Sequence, residues 1–365
     1  MAQHRGGGGR LKRRHDYDED DVRVRPGRTS RPRTRIRPRH EEAVSGVVVA
    51  VDRGRYTCSV EGRLVTAMRA RELGRHGVVV GDRVSVVGDI SGREGSLARI
   101  VRIEDRTSVL RRTADDDVEG KERVVVANAD QLVIVSSLAD PPPRTGFIDR
   151  CLVAAYDADI EPLLCLTKAD LAKPDALLEY YAELDLRHVL CRPDRPLTEL
   201  QEALHDRWSV LIGHSGVGKS TLVNRLVPDA ARRVGEVSAI GKGRHTSTSA
   251  VALPLPGGPD GGPEHGWIVD TPGVRSFGIA HVDPENVLHG FPELVDATAN
   301  CPPNCDHLGE AGAGPAAKPT ERADERRVTR PCGLDALVAA GGADPRRVAS
   351  FRRLLLSRSG AAPAD

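Results

Sequence analysis

The stretch Gly213-His214-Ser215-Gly216-Val217-Gly218-Lys219-Ser220 has the spacing G-x-x-x-x-G-K-[ST]. Glycines there let a backbone wrap closely enough for its N–H groups to converge on phosphate oxygens. The helix that follows adds partial positive charge. Lys219 is placed to reach β- and γ-phosphates, Ser220 to ligate Mg²⁺ and Thr221 to continue the contact. Two further stretches suit the same ligand. Asp270-Thr271-Pro272-Gly273 is a D-x-x-G pattern, whose carboxylate holds Mg²⁺ through water and whose Gly273 N–H meets the γ-phosphate. Between them, Gly243-Arg244-His245-Thr246-Ser247-Thr248 offers Thr246 as a Mg²⁺ ligand that reports the γ-phosphate.

Base identity rests on Thr167-Lys168-Ala169-Asp170, which resembles the guanine-reading N-K-x-D motif. Asp170 can accept from the two donors on guanine's Watson–Crick edge, which adenine lacks, and Lys168 can lay its stem along the base. Thr167 stands where the motif usually has Asn. The expected ligand is therefore GTP or GDP. Val274 follows the D-x-x-G pattern, where Ras-like proteins place a water-orienting Gln. An apolar side chain cannot orient water, so unaided hydrolysis is expected to be slow. His245 is the candidate in this chain for completing the site.

A second chemistry lies further on. Cys301, Cys305 and His307 form C-x₃-C-x-H, a donor set that favours zinc, with Cys332 as the candidate fourth ligand. Cys58, Cys151, Cys165 and Cys191 fall in strand or helix patterns and are expected to be buried apolar residues. Seven scattered cysteines point to a reducing, cytoplasmic setting rather than a disulfide framework.

The elements that position these residues follow from periodicity. Residues 43–112 hold the short β-prone runs Val47–Val51, Tyr56–Val60, Val78–Val80, Val84–Val87 and Leu97–Ile103, separated by glycines. That pattern suits a small β-barrel of the OB type. From residue 113 strands and helices alternate: Leu132–Val135, Ile148–Tyr156, Pro162–Leu166, Asp175–Leu184, His188–Cys191, Leu197–His205, Trp208–Ile212, Lys219–Leu226 and Trp267–Val269. This is the signature of a parallel sheet covered by helices. Residues 291–365 carry the Cys/His cluster, an inserted loop at 308–331, and a helix starting at Asp344-Pro345.

Composition bounds the rest. The formal net charge of +1 excludes a wholly acidic or basic protein, but residues 1–40 hold 13 Lys/Arg against 5 Asp/Glu. Segment 1–42 reads as a disordered basic tail, either solvating or an arm for phosphate backbones. Aromatics at 3% argue against recognition of nucleic acid chiefly by base stacking. With no run of 18 apolar residues, no membrane span is expected.

Order is the decisive feature: the guanine-type motif precedes the phosphate loop, which precedes D-x-x-G. That is a circularly permuted GTPase. Together with the barrel, G-H-S-G-V-G-K-S-T, G-R-H-T, D-T-P-G-V-R-S-F-G and C-x₃-C-x-H with a later Cys, it resembles the RsgA (YjeQ/EngC) family over about residues 43–357. The resemblance implies an OB-fold barrel (43–112), a permuted GTPase domain (113–290) and a mostly helical zinc-binding domain (291–365). It implies a GTPase stimulated by the 30S ribosomal subunit, acting through 16S rRNA late in that subunit's maturation. It places GTP on Thr167–Asp170 and Gly213–Thr221, and zinc on Cys301, Cys305, His307 and Cys332. It also gives His245 a part in hydrolysis; Lys219 and Gly273 serve the same step through the phosphates. A cytoplasmic monomer is expected. The rival readings are a P-loop ATPase or kinase acting on RNA, and a GTP-binding assembly factor that does not hydrolyse.

Overall fold

The computed structural model describes residues 40–52, 54–74, 77–113, 122–228, 230, 250–256, 266–271, 282–309 and 332–358. His245, Thr246, Gly273 and Val274 lie outside these residues, as do 1–39 of the tail and 310–331 of the inserted loop.

The first five strands are β1 (Val44–Asp52), β2 (Arg55–Val60), β3 (Arg63–Arg69), β4 (Arg83–Gly88) and β5 (Ala98–Ile103). They run in the order β1-β2-β3-β5-β4, and β4 pairs back onto β1, so the sheet closes. Pairing is antiparallel except between β3 and β5. Alternation fills the interior: Val48, Tyr56, Cys58, Val60, Val65, Ala67, Val84, Val86, Ala98 and Ile100 form one core. The closed barrel expected from the sequence is present, with one strand reassigned. Arg63–Arg69 is a strand, whereas Val78–Val80 makes only a single bridge, Val80 to Val126. Gly81, at φ 90°, turns the chain immediately after it.

A hairpin follows, β6 (Val109–Thr113) with β7 (Glu122–Ala127). The second sheet region comprises β8 (Gln131–Ser137), β9 (Glu161–Thr167), β10 (His188–Leu190), β11 (Trp208–Ile212), β12 (Val251–Pro254) and β13 (Trp267–Asp270). Its order is β10-β9-β8-β11-β13-β12, parallel throughout except for β12. Every residue of β8 is buried, as a central parallel strand covered on both faces requires. The helices α1 (Thr145–Asp157), α2 (Asp175–Tyr180), α3 (Thr198–Leu204) and α4 (Lys219–Leu226) alternate with these strands. Strand β1 joins the two regions. A register shift between Val48 and Ala50 bends it, and Ala50 then pairs with Val251 of β12.

Among the described residues four α-helices follow: α5 (Pro284–Val287), α6 (Val295–Thr298), α7 (Gly333–Ala339) and α8 (Pro345–Arg358). Asp344 caps α8 by accepting from the Arg346 N–H at 2.8 Å, so the Asp-Pro start is realised. Along α8, Phe351 meets Phe291 edge-on at 5.3 Å, and Phe291 meets Tyr156 of α1 at 6.5 Å. The apolar face of α8 therefore shares the core of the α/β region.

Candidate nucleotide site and metal centre

Strands β8, β9, β11 and β13 are parallel, so the loops leaving β9, β11 and β13 emerge at one edge of the sheet. In open α/β sheets this edge is where ligands bind. The loop from β11 carries Gly213–Gly218 and opens α4 at Lys219. Gly213 lies so close to β8 that a Cβ would stand 2.7 Å from the Val135 carbonyl oxygen. Gly216 and Gly218 take φ of 85° and 92°, a region costly for other residues. Val217 is buried and anchors the loop, whereas Ser215 and Ser220 are exposed. His214 packs edge-on against Phe147 of α1 at 5.6 Å.

The loop from β9 meets that from β11 directly. Thr167 donates its hydroxyl to the Val217 carbonyl at 2.6 Å. Lys168 sits at φ 53°, an uncommon conformation for a non-glycine residue, and its ammonium donates to the Asp140 carbonyl. The Ala169 N–H donates to the Cys191 carbonyl at 3.3 Å, and Asp170 is exposed beyond it. The structure thus brings Thr167–Asp170 and Gly213–Lys219 together at one edge.

The third loop supplies Asp270, which ends β13. Its carboxylate pairs with the Lys219 ammonium. Thr271 donates to the Leu211 carbonyl at 2.9 Å and pins this segment to β11. Ser220 and Thr221 lie in the first turn of α4 with exposed side chains.

Two walls of the site carry no motif. Asp140-Pro141 is a cis peptide, and Ser137 donates to the Pro141 carbonyl at 2.6 Å. Pro141 Cδ lies 3.4 Å from where a Cβ on Gly216 would stand. On the other side, Arg225 of α4 donates to the Arg192 carbonyl at 2.9 Å and to the Arg195 carbonyl at 2.5 Å. It holds the segment after β10 against the phosphate-loop helix. Only a Pro-rich stretch at 141–143 hinted at the first wall, and nothing in the sequence pointed to the second.

The cysteine/histidine cluster is assembled as well. One donor atom from each of Cys301, Cys305, His307 and Cys332 lies within 4.8 Å of the others. The Cys301 and Cys332 sulfurs are 3.8 Å apart, and His307 Nδ1 is 3.4 Å from the first and 3.9 Å from the second. A tetrahedral zinc with Zn–S near 2.3 Å has S···S edges of about 3.8 Å, so the cluster fits a zinc site. The Gly333 N–H donates to the Cys301 sulfur at 3.1 Å, which stabilises a thiolate there. Burial raises the Cys305 thiol to about 11 and holds the His307 imidazole below its usual value. Arg352 donates to the His307 carbonyl at 2.9 Å and pairs with Asp335 at 2.7 Å, tying α8 and α7 to the cluster. The other four cysteines are buried, as expected.

Comparison with known proteins decides the family. A family model described as RsgA GTPase matches residues 103–280. A protein of Chlorobaculum parvum named small ribosomal subunit biogenesis GTPase RsgA is 35% identical over 330 residues, covering 86% of this chain and 98% of that protein.

The chain belongs to the RsgA GTPase family.

A second RsgA, from Azotobacter vinelandii, is 37% identical over 290 residues, 77% of this chain and 75% of its own. Among solved structures, YjeQ from Thermotoga maritima matches with a TM-score of 0.57 at 25% identity, covering 87% of this chain and 99% of its own. YloQ, titled a circularly permuted GTPase, matches in fold at 0.56 and 20% identity, over 90% of this chain and 99% of its own. This RsgA-family chain is therefore a GTP hydrolase with a permuted G domain, which removes the ATPase, kinase and non-hydrolysing readings. Among the described residues no helix is long and apolar enough to cross a membrane.

Proposed function

We propose that this GTPase acts on the small ribosomal subunit, binding 16S rRNA during late maturation and leaving after GTP hydrolysis. The observation that carries the nucleotide reading is the Thr167–Val217 hydrogen bond. It joins a guanine-type loop to a phosphate loop that follows it by 50 residues. Asp170 reads the guanine edge, Lys168 lies along the base, and Gly213–Thr221 cradle the phosphates. Asp270 and Gly273 respond to the γ-phosphate, with Thr246 as the partner from the intervening loop. Ser220 and Thr246 would hold Mg²⁺, which neutralises charge on the β- and γ-phosphates when bound with GTP. His245 is assigned to the hydrolytic step. Zinc on Cys301, Cys305, His307 and Cys332 would cross-link the segment before residue 308 to α7.

The division of labour follows 43–112 as barrel, 113–290 as GTPase and 291–365 as the metal-bearing end, with the tail 1–42 as an electrostatic arm. The relatives' shared name, small ribosomal subunit biogenesis GTPase, supports this particle as the partner. A cytoplasmic monomer fits such a task. The test is multiple-turnover GTP hydrolysis with and without purified 30S particles, with ATP as competitor. Stimulation of at least about tenfold, undiminished by excess ATP, is expected. Equal rates in both conditions would defeat the ribosomal reading.

A further inference from the structure

The threonine at position 167 leaves part of a guanine base without a reader. The Asn usual at this place carries two amide donors, whereas a threonine hydroxyl carries one. That one goes to the Val217 carbonyl, and Thr167 is only 5% exposed. The Lys168 ammonium is engaged by the Asp140 carbonyl. Asp170 can meet the donors on the guanine edge, but the Thr167 hydroxyl has nothing left for the acceptors O6 and N7.

The segment after β10 brings a donor to this place. Strands β9 and β10 are parallel neighbours, so the chain leaving β10 emerges beside Thr167–Asp170. The Cys191 N–H donates to the Leu166 carbonyl at 2.8 Å, and the Cys191 carbonyl accepts from Ala169. The next residue is Arg192, and its backbone is held from the far side. Arg225 of α4 donates to the carbonyls of Arg192 and Arg195.

The Arg192 side chain is oriented as well. Its Nε and Nη2 atoms donate to the two Asp194 carboxylate oxygens at 3.0 and 3.1 Å. The partners are 42% and 55% exposed, so the pair adds little to stability. Its effect is to aim the guanidinium while Nη1 stays outside the pairing. Asp194 raises the Arg192 pKa, and the Asp170 carboxylate adds to that rise. An acceptor group and a donor group thus share one electrostatic neighbourhood. Guanine offers donors and then acceptors along the matching edge, whereas adenine places an amine where guanine has O6.

We propose that Arg192 is a specificity-determining residue that donates to O6 and N7 of guanine, beside Asp170, and takes over the contact that Thr167 does not supply. Arg225 and Asp194 act as positioning residues for it. The inference deepens the guanine reading of this site and rests on it.

The test is displacement of a fluorescent GDP analogue from the full chain by four competitors: GDP, 7-deazaguanosine diphosphate, inosine diphosphate and ADP. The parent is expected to bind GDP about tenfold more tightly than the 7-deaza analogue, which lacks the N7 acceptor. Arg192→Met keeps the stem and loses the fork. It should weaken GDP about tenfold and abolish the difference between GDP and the 7-deaza analogue. The penalty for inosine diphosphate, which lacks the amine facing Asp170, should persist. Arg192→Lys should recover part of the GDP affinity, as a point charge without the fork. Equal binding of GDP and the 7-deaza analogue by the parent overturns the proposal. So does an Arg192→Met variant that keeps the parent's difference, or one that loses the same factor for every nucleotide. If Arg192→Met lowers the thermal midpoint, the parent and Arg192→Lys decide, and a lysine variant with the parent's full 7-deaza difference overturns the assignment. Equal affinity of the parent for GDP and ADP would sink the guanine reading itself. A guanine preference that Arg192→Met leaves untouched would sink Arg192 alone.

Discussion

Thr167 Oγ1 lies 2.6 Å from the Val217 carbonyl oxygen, so the residue standing where Asn is usual ties the guanine-type loop to the phosphate loop. Thr167 is 5% exposed, and removing its hydroxyl leaves that carbonyl without the partner it has here. Thr167→Val keeps the volume and is expected to weaken GDP binding about tenfold. Thr167→Ser should restore most of it. Titration with a fluorescent GDP analogue checks both, and parent-like affinity in the valine variant would remove the tether from the account.

Asp170 is exposed at the mouth of the same site. Asp170→Asn exchanges an acceptor for a donor at the carboxylate proposed to read the base. GDP affinity should fall about a hundredfold, as loss of two charge-assisted hydrogen bonds requires. Xanthosine diphosphate, which offers a carbonyl where guanine offers an amine, should gain. Competition between the two nucleotides on parent and variant reads this directly.

The four-donor cluster predicts one zinc per chain. Cys332→Ser should release it to a chromogenic chelator more readily than in the parent and lower the thermal midpoint by about 5 °C. Cys58→Ser, in the barrel interior, should leave metal content intact. Equal zinc in the Cys332 variant and the parent would exclude that sulfur as a ligand.

Acid should weaken the same region. Burial lowers the His307 pKa, so the folded chain holds fewer protons there than the unfolded chain. The contribution of neutral His307 is therefore complete above about pH 6.5 and fades as pH falls through the lower folded value. Zinc retention and thermal midpoint should both decline between pH 7 and pH 5. A His307→Gln variant should show a flatter profile.

Arg353 of α8 lies 3.2 Å from the Asp149 carboxylate of α1 and over the ring of Tyr180 at 4.2 Å. Tyr181 donates to Asp149 at 3.0 Å. The Arg353 Nε and Nη2 atoms make no hydrogen bond, so its hold is charge and ring contact. With Asp149 2% exposed, Arg353→Met takes the cation away from a buried carboxylate and should cost about 3 kcal/mol, measured by urea unfolding. Removing both charges, with Asp149→Asn added, should recover part of that loss.

Much of this architecture was legible because its signals are local. Trp208–Ile212 and Lys219–Leu226 have the expected bounds, since an apolar run meets a glycine loop on one side and a helix start on the other. β3 was hidden because R-L-V-T-A-M-R places arginines at both ends and threonine in the middle, which blurs the period of two. β12 is only four residues long and lies between stretches with no clear period. The approach of Cys332 to Cys301 could not be measured from spacing, because loop closure depends only weakly on length. The arginines of α8 look like a solvated run, yet Arg347 is spent on Glu293 and the Gly290 carbonyl and lies over Phe291. Such internal use of charge depends on which helix lies opposite, and a linear pattern does not contain that.

Trp208 and Trp267 are the only two tryptophans in the chain, and their rings stack at 5.3 Å with 18° between planes. They begin β11 and β13, whose far ends carry the phosphate loop and Asp270. The protein thus contains its own optical gauge. Intrinsic emission and near-ultraviolet dichroism report on the pairing of the two strands that frame the phosphates, with no label and no mutation.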